Sequence, residues 1–348
     1  MKTMNLLQSA VEQIKGGGTL NSKQMADVFR IIMRGEARDS LVGALLGILA
    51  TRVPTGEELH GASEIMKECV EEIVLPNPGS LLDTCGTGGA PKTFNVSTAA
   101  GIVSAACGVR VAKHGNRSRT GRGSAEILEQ LGINITITIQ QQQRCLEEVG
   151  ICFCFAPNHH KAVAHVMPVR KDLGFPTIFN LLGPLTNPCS AGRQLLGVWD
   201  NSFVLPMAES LLASGTIKSA VVHSEDGLDE ISISAPTRIM YINGGGLIDE
   251  TICPEDIGLQ TWGREHVTAS SLSSATNMFT DVLIGGAKGA PREMVLINTA
   301  VGLLLADKAE DLSQAVLMGA EAIDSGKVAS LIQQWIYVSN THTQPTQQ

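Results

Sequence analysis

Behind Asn21-Ser22, the apolar residues Met25, Val28, Phe29 and Ile32 recur at the three- and four-residue spacing of one helical face. Asn and Ser are side chains that cap a first turn, so the pattern predicts a helix starting there and broken at Arg34-Gly35. Residues 39–51 (DSLVGALLGILAT) are apolar almost all round. That is too apolar for a solvated surface helix and too short to span a bilayer. Pro54-Thr55-Gly56-Glu57-Glu58 opens a third helix that ends before Ile73. No two-residue alternation occurs here, so the first 70 residues predict a helical unit. Its apolar surplus, above all Leu41 to Leu49, suits either the core of the unit or a subunit interface.

The pattern changes near residue 75, where Pro76-Asn77-Pro78-Gly79 reads as a turn and linker. Two units of strand, Gly-rich loop and helix follow. The first is a strand over 81–85, a loop over 86–89 and a helix over 97–107 stopped by Gly108. The second is a strand over 109–113, a loop over 114–123 and a helix over 124–131 stopped by Gly132. Strands joined through helices pair in parallel, which predicts an α/β fold with a mainly parallel sheet flanked by helices. Further strand-like runs stand at 151–155, 195–199 and 218–223, and residues 160–185 mix helix and loop around Pro168 and Pro184. Helices are predicted near 274–284, 291–307 and 311–335, and the tail after Asn340 should fray. The run Gln140–Gln143 has no explanation at this level.

The chain has 348 residues, 43% of them hydrophobic and 17% charged, which excludes global disorder. Aromatics are only 4% against 36 glycines, so the core is built from Ala, Val, Ile and Leu with many tight loops. A net charge of −8 lacks the field that attracts a phosphate backbone and disfavours general nucleic-acid binding, but leaves room for a small anion held locally. No apolar run reaches about 18 residues, so no membrane span is expected. The N-terminus lacks the apolar stretch of a secretory signal, and a cytoplasmic location is expected. None of the eight cysteines forms a CxxC pair, which predicts reduced core thiols. Cys152 and Cys154 alternate as strand residues do.

Gly86-Thr87-Gly88-Gly89 follows a predicted strand, and Asn95-Val96-Ser97-Thr98 opens the next helix. Glycines let a ligand approach the backbone, and a helix N-terminus favours an anion. Thr87, Ser97 and Thr98 add hydroxyls, so the segment reads as a phosphate cradle, neither a Walker A loop nor GxGxxG. Lys113, placed at the end of the second strand, can neutralise phosphate, since ligands of open α/β sheets sit beyond the strand ends. The loop from Ser118 to Ser124 carries three hydroxyls with Arg119 and Arg122. Two adjacent anion-seeking loops suggest a ligand with two separated phosphates; a solvated basic loop is the alternative.

Ser224-Glu225-Asp226-Gly227-Leu228-Asp229-Glu230 places four carboxylates just past a strand. Such a loop is usually solvated surface. Beside phosphate loops, however, Asp229 and Glu230 suit Mg²⁺, which takes one or two carboxylates plus substrate phosphates. Neighbours on an extended chain point apart, so the two could serve two cations, or two waters of one. Arg170 could fork onto a carboxylate or be structural, and His159-His160 could be loop or pocket-wall residues. No nucleophile motif is present. The residues alone read as metal-assisted handling of a doubly phosphorylated small molecule.

GTGG, TFNVST, KHGNR, GSAEILEQLGI, HVMPVRKDLG, TIFNLLGPLTNP and GLDEIS, in this order, resemble the anthranilate phosphoribosyltransferase family. The similarity runs from Asn21 to about Leu331 and includes Met33-Arg34-Gly35-Glu36, Pro254-Glu255-Asp256 and Asp324-Ser325-Gly326-Lys327. The resemblance implies a small helical domain (1–74 with about 164–188), a large α/β domain (75–163 and 189–340), a disordered tail over 341–348 and a homodimer through the helical domain. It implies transfer of phosphoribose from 5-phosphoribosyl 1-pyrophosphate to anthranilate, without a covalent enzyme intermediate, toward tryptophan. It places Gly86, Thr87, Gly88, Gly89, Thr93, Asn95, Ser97, Thr98, Lys113, Ser118 and Thr120 at the donor. Gly86, Asn116, His160, Arg170 and Gly183 fall near the acceptor, and Ser97, Asp229 and Glu230 near Mg²⁺.

Two loops depart from the family pattern. Ala90-Pro91-Lys92 stands where an Asp is usual, and Arg119-Thr120-Gly121-Arg122-Gly123 is one residue shorter than usual. Three alternatives stay open: a same-fold transferase for another aromatic acid, a pyrimidine-nucleoside phosphorylase, and a non-catalytic nucleic-acid-binding relative. Asn116 and Arg170 argue against the first, KHGNR and LLGPLTNP against the second. The net charge of −8 and the Asp229-Glu230 pair argue against the third.

Overall fold

The computed structural model describes residues 2–118 and 120–341. Arg119 and the expected fraying of residues 342–348 lie outside the described residues. Four helices lead: α1 (Lys2–Lys15), α2 (Ser22–Met33), α3 (Asp39–Leu49) and α4 (Gly56–Glu68). Asn21 caps α2 as its sequence suggests: its Oδ1 accepts from Gln24 N at 2.9 Å, and Gln24 Oε1 accepts from Asn21 N at 3.0 Å. Thr55 and Glu58 cap α4 in the same reciprocal way. Glu58 is fully buried, yet Arg52 and the N–H groups of Leu20 and Thr55 outweigh that burial and hold its carboxyl below the usual range. The apolar surplus of α3 is smaller than its sequence suggests. Helix α1 covers Val42, Leu45, Leu46 and Leu49 together with the segment at 167–173, leaving Leu41 and Ile48 half-buried.

The α/β part runs β1 (Leu82–Gly86), α5 (Val96–Ala106), β2 (Val111–Gly115), α6 (Ser124–Gln130), α7 (Ile139–Glu148) and β3 (Ile151–Phe155). Three short helices follow, α8 (Ala156–His159), α9 (Met167–Leu173) and α10 (Ile178–Leu182). Then come β4 (Arg193–Gly197), α11 (Val204–Ala213), β5 (Lys218–Ser224), β6 (Thr237–Asn243) and β7 (Gly246–Ile252). The chain closes with α12 (Leu272–Leu283), α13 (Ala290–Leu305), α14 (Leu312–Asp324) and α15 (Lys327–Asn340). The seven strands are ordered β3-β2-β1-β4-β5-β6-β7; the first five are parallel, and β6 and β7 join antiparallel.

Several expectations need correction. Strand β2 starts two residues later than predicted, so Lys113 lies inside it rather than at its end. The single helix expected over 311–335 is two, because Gly326 sits at φ 79°, where a helix cannot continue. The glutamine run is the first turn of α7, with Thr138 and Gln141 as its reciprocal cap. Helix α11 and the pair β6–β7 add to the elements that the sequence predicts.

Two apolar cores lie on opposite faces of the sheet. One packs α5, α13, α14 and α15. The other joins α1–α4 with α9, α10 and α11 and reaches Leu196, Val198, Val221 and Met240 on the sheet. Phe29 of α2 and Phe179 of α10 meet at 5.4 Å between ring centres, so helices far apart in sequence share one core. No helix among the described residues is long and apolar enough to cross a membrane. Consecutive strands run outward in opposite directions from β1 and β4, so the crevice at a parallel sheet's switch point opens beyond Gly86 and Gly197.

Candidate active site at the switch point

The loop after β1 lies at this crevice. Gly88 takes φ 66°, a left-handed conformation that favours glycine, and a Cβ on Gly86 would stand 2.7 Å from Asp229 Oδ2. Glycine at 86 therefore lets the first loop meet the acidic loop after β5. Thr87 does not offer its hydroxyl to the crevice: N and Oγ1 both donate to Gly197 O, at 2.9 and 3.3 Å, tying the loop to β4.

The acidic loop is not solvated surface. Leu228, Ile231 and Ile233 anchor it in the core, Glu230 is buried and Asp229 half-buried. The neighbours point to different partners, as an extended backbone requires. Thr93 Oγ1 donates to Glu230 Oε2 at 2.9 Å, and the Ser97 N–H at the start of α5 also bonds this carboxylate. A side-chain carboxylate thus occupies part of the predicted phosphate cradle. Burial, then the charge of Asp229, pushes Glu230 up to about 8, against the pull of Thr93, Ser97 and Lys113. Burial also raises Asp229, opposed chiefly by the charge of Lys92 and by backbone N–H groups.

Lys113 is 2% exposed and anchored from below: its Nζ donates to Thr84 O and, at 3.4 Å, to Ser97 Oγ. Burial lowers its pKa, and Asp83 is the first of the charges that resist this. Asp83 itself is buried and accepts from His114 N at 3.1 Å, Asn187 Nδ2 at 2.8 Å and Gln194 Nε2 at 3.3 Å. The sequence does not single it out, because its position inside an apolar strand end carries no motif.

Asn95 takes φ 67° and joins the two loops, donating from Nδ2 to Arg122 O at 3.2 Å. Its Oδ1 and Thr98 Oγ1 are buried without hydrogen-bond partners, a cost that a bound polar ligand would relieve. In the second loop, Arg122 N donates to Ser118 Oγ at 2.9 Å, and Ser118 Oγ lies 3.1 Å from Thr120 Oγ1. Thr120 is exposed.

Among the other candidate residues, His160 and Gly183 meet His114 in a second cluster beyond β2. His114 Nδ1 donates to Gly183 O at 3.1 Å, which fixes the tautomer; its Nε2 then accepts from His160 Nε2 at 3.1 Å. Burial lowers the pKa of both rings, that of His160 to about 4. His114 is thus a site residue absent from the candidates named by sequence, although it stands within KHGNR. Asn116 is exposed and turns its Oδ1 onto Arg117 N at 2.7 Å. Arg170 lies over the Phe179 ring at 5.1 Å, with Nη1 3.7 Å from Met167 Sδ. No ion pair among the described residues engages its guanidinium, and burial alone lowers its pKa. A cation left so is available to an anionic ligand. His159, by contrast, is a core residue: its ring lies between Glu71 O at 2.7 Å and Gln142 Oε1 at 3.0 Å.

Comparison with known proteins is consistent over nearly the whole chain. Residues 8–70 match the helical bundle domain of the glycosyl transferase family, and residues 78–329 match its a/b domain. The anthranilate phosphoribosyltransferase of Thioalkalivibrio sulfidiphilus is 40% identical over 332 residues, 95% of this chain and 98% of that protein. That of Rubrobacter xylanophilus is 39% identical over 336 residues, covering 96% and 98%. Among solved structures, anthranilate phosphoribosyltransferase from Thermus thermophilus superposes with a TM-score of 0.89 at 33% identity, covering 95% of this chain and 99% of that one. The Saccharomyces cerevisiae protein in complex with PRPP and Mg gives 0.86 at 25% identity, covering 96% and 97%.

Proposed function

The chain belongs to the anthranilate phosphoribosyltransferase family, and we propose the residues by which it carries that family's reaction. The reaction transfers phosphoribose from 5-phosphoribosyl 1-pyrophosphate to anthranilate, releases pyrophosphate and serves tryptophan biosynthesis. The observation that carries the assignment of sites is the meeting of two chemistries at one sheet edge. Oxygen donors and unpartnered polar atoms gather beyond β1 and β5, two imidazoles meet beyond β2, and Arg170 lies over Phe179 with no ion-pair partner among the described residues.

In this reading Gly86, Gly88, Gly89, Thr93, Asn95, Ser97, Thr98, Ser118 and Thr120 surround the donor. Lys113 acts from beneath, as a buried charge that positions Ser97. Asp229 and Glu230, with Ser97, would hold Mg²⁺. The fit is chemical: every donor is an oxygen, and the two adjacent carboxylates stay raised by burial, with the charge of Asp229 adding to Glu230, despite the opposing charges of Lys92 and Lys113. Bound there, Mg²⁺ neutralises charge on the departing pyrophosphate. Arg170 takes the anthranilate carboxylate, with Asn116, Gly183 and the His114–His160 pair lining the ring. The amine nitrogen then bonds to the ribose anomeric carbon as that carbon's bond to pyrophosphate oxygen breaks, and the nitrogen gives up one proton, with pyrophosphate or solvent as its acceptor. The chain's own contribution is orientation of the two ligands and exclusion of water.

The helical segment also suits a homodimer through Leu41 and Ile48, which α1 leaves half-buried. A cytoplasmic location accords with the biosynthetic role. Incubation with anthranilate and donor, followed by mass spectrometry for N-(5-phosphoribosyl)anthranilate, tests the reaction. A product carrying phosphoribose on any other acceptor in preference to anthranilate would overturn it.

A further inference from the structure

Three cysteines that share no spacing motif converge in the core. Cys152 and Cys154 are alternate residues of β3, so their side chains share one face of the sheet. Cys189, in the segment leading to β4, comes up against them. The Cys152 and Cys154 sulfurs are 3.9 Å apart, those of Cys154 and Cys189 are 3.6 Å apart, and all three lie within 4.8 Å of one another. None is more than 1% exposed.

From this triangle we propose a binding site for a soft, thiophilic ion of the monovalent copper class, held by the Sγ atoms of Cys152, Cys154 and Cys189. A metal–thiolate bond of about 2.3 Å, repeated three times in a plane, sets sulfurs roughly 4 Å apart. Separations of 3.9 and 3.6 Å, with the third within 4.8 Å, match that distance closely enough that side-chain adjustment suffices. Thiolate sulfur selects soft ions, and the number of ligands selects among them. Zinc wants a fourth donor. Among the described residues no further His, Cys, Asp or Glu joins the group. His159 is close in sequence, but both its ring nitrogens already face Glu71 O and Gln142 Oε1. Three-coordinate thiolate ligation is therefore what the site offers. As each sulfur binds, its proton leaves to solvent; no electron is transferred.

Access follows from the place of β3 at the edge of the sheet. Edge elements open locally at a smaller cost than the centre of a domain. The site is also linked to the switch point. Cys189 N donates to Asn187 Oδ1 at 2.8 Å, and Asn187 Nδ2 donates to Asp83 Oδ2 at 2.8 Å.

The test is an anaerobic titration of the reduced full-length chain with Cu(I) against a coloured Cu(I) chelator. Wild type should retain one equivalent, and X-ray absorption of that complex should show three sulfurs at about 2.3 Å. Cys154→Ala and Cys189→Ala should each lose at least a hundredfold in Cu(I) affinity. Cys107→Ala, outside the triangle and half-buried, should match wild type. Circular dichroism checks the fold of each variant, and the sulfur count on wild type stands even if one of them unfolds. Complete transfer of copper to the chelator, a two-sulfur shell, or retention unchanged in folded Cys154→Ala would overturn the proposal.

Discussion

His160 Nε2 donates to His114 Nε2 across 3.1 Å, and this bond requires the accepting His114 ring to be neutral. Burial keeps His114 neutral and independently lowers His160 to about 4. A histidine whose folded pKa is depressed contributes stability that is full above its unfolded value near 6.5 and is lost as pH falls toward the folded value. Urea midpoints should therefore drop between pH 6.5 and pH 4, with His160 accounting for up to about 3 kcal/mol. His160→Gln should flatten this slope. A midpoint that is flat over the window in wild type would show that the pair is solvated.

Asp229→Asn should separate chemistry from folding. The substitution removes a negative charge beside Glu230, whose pKa that charge raises, so thermal stability should hold or rise. Turnover should fall by two orders of magnitude or more as a proposed metal ligand is lost. Parallel melting curves and initial rates check both halves. Loss of the fold together with activity would make Asp229 a structural residue.

Arg170→Ala should weaken anthranilate by about 1.5–3 kcal/mol, the scale of a hydrogen bond to a charged group. That is a rise of roughly tenfold to a hundredfold in acceptor KM. Donor KM should stay within about twofold. Equal weakening of both ligands would mean that Arg170 works through Phe179 and the scaffold.

Lys92 stands in the loop that departs from the family pattern, and its charge is the strongest one opposing the raised pKa of Asp229. Its removal should act in opposite directions on the two charged partners. In Lys92→Ala, Mg²⁺ should bind more tightly, because Asp229 loses a competing cation. The polyphosphate donor should bind more weakly and with a shallower salt dependence. Donor affinity unchanged at low and high salt would return Lys92 to the solvent.

The legible parts of the sequence are those where one residue type has one physical use. Asn21 and Thr55 at helix starts, the Gly-rich loop at 86–89 and the continuous apolar run of β3 at 151–155 need no tertiary information. Strand β7 gives no sign because it is an edge, with Asp249, Glu250 and Thr251 all exposed in a pattern that also suits a loop. Helix α7 is hidden by its glutamines, whose helical role depends on Thr138 and on Gln142 reaching His159. In the site, residue types are readable but directions are not. Lys113 and Thr87 belong to the crevice by sequence, yet both turn their polar atoms onto backbone carbonyls. The Cys152–Cys154–Cys189 triangle is invisible in sequence, because only the sheet brings position 189 to positions 152 and 154.

The central claim is that Asp229 and Glu230 make transfer of phosphoribose to anthranilate depend on a divalent cation at the switch point. Steady-state loss of anthranilate fluorescence with 5-phosphoribosyl 1-pyrophosphate and Mg²⁺ measures it directly. The account predicts a rate that requires donor and metal together, stops in excess chelator and returns when Mg²⁺ is restored. An undiminished rate in excess chelator, or no consumption of anthranilate with all three present, would contradict it.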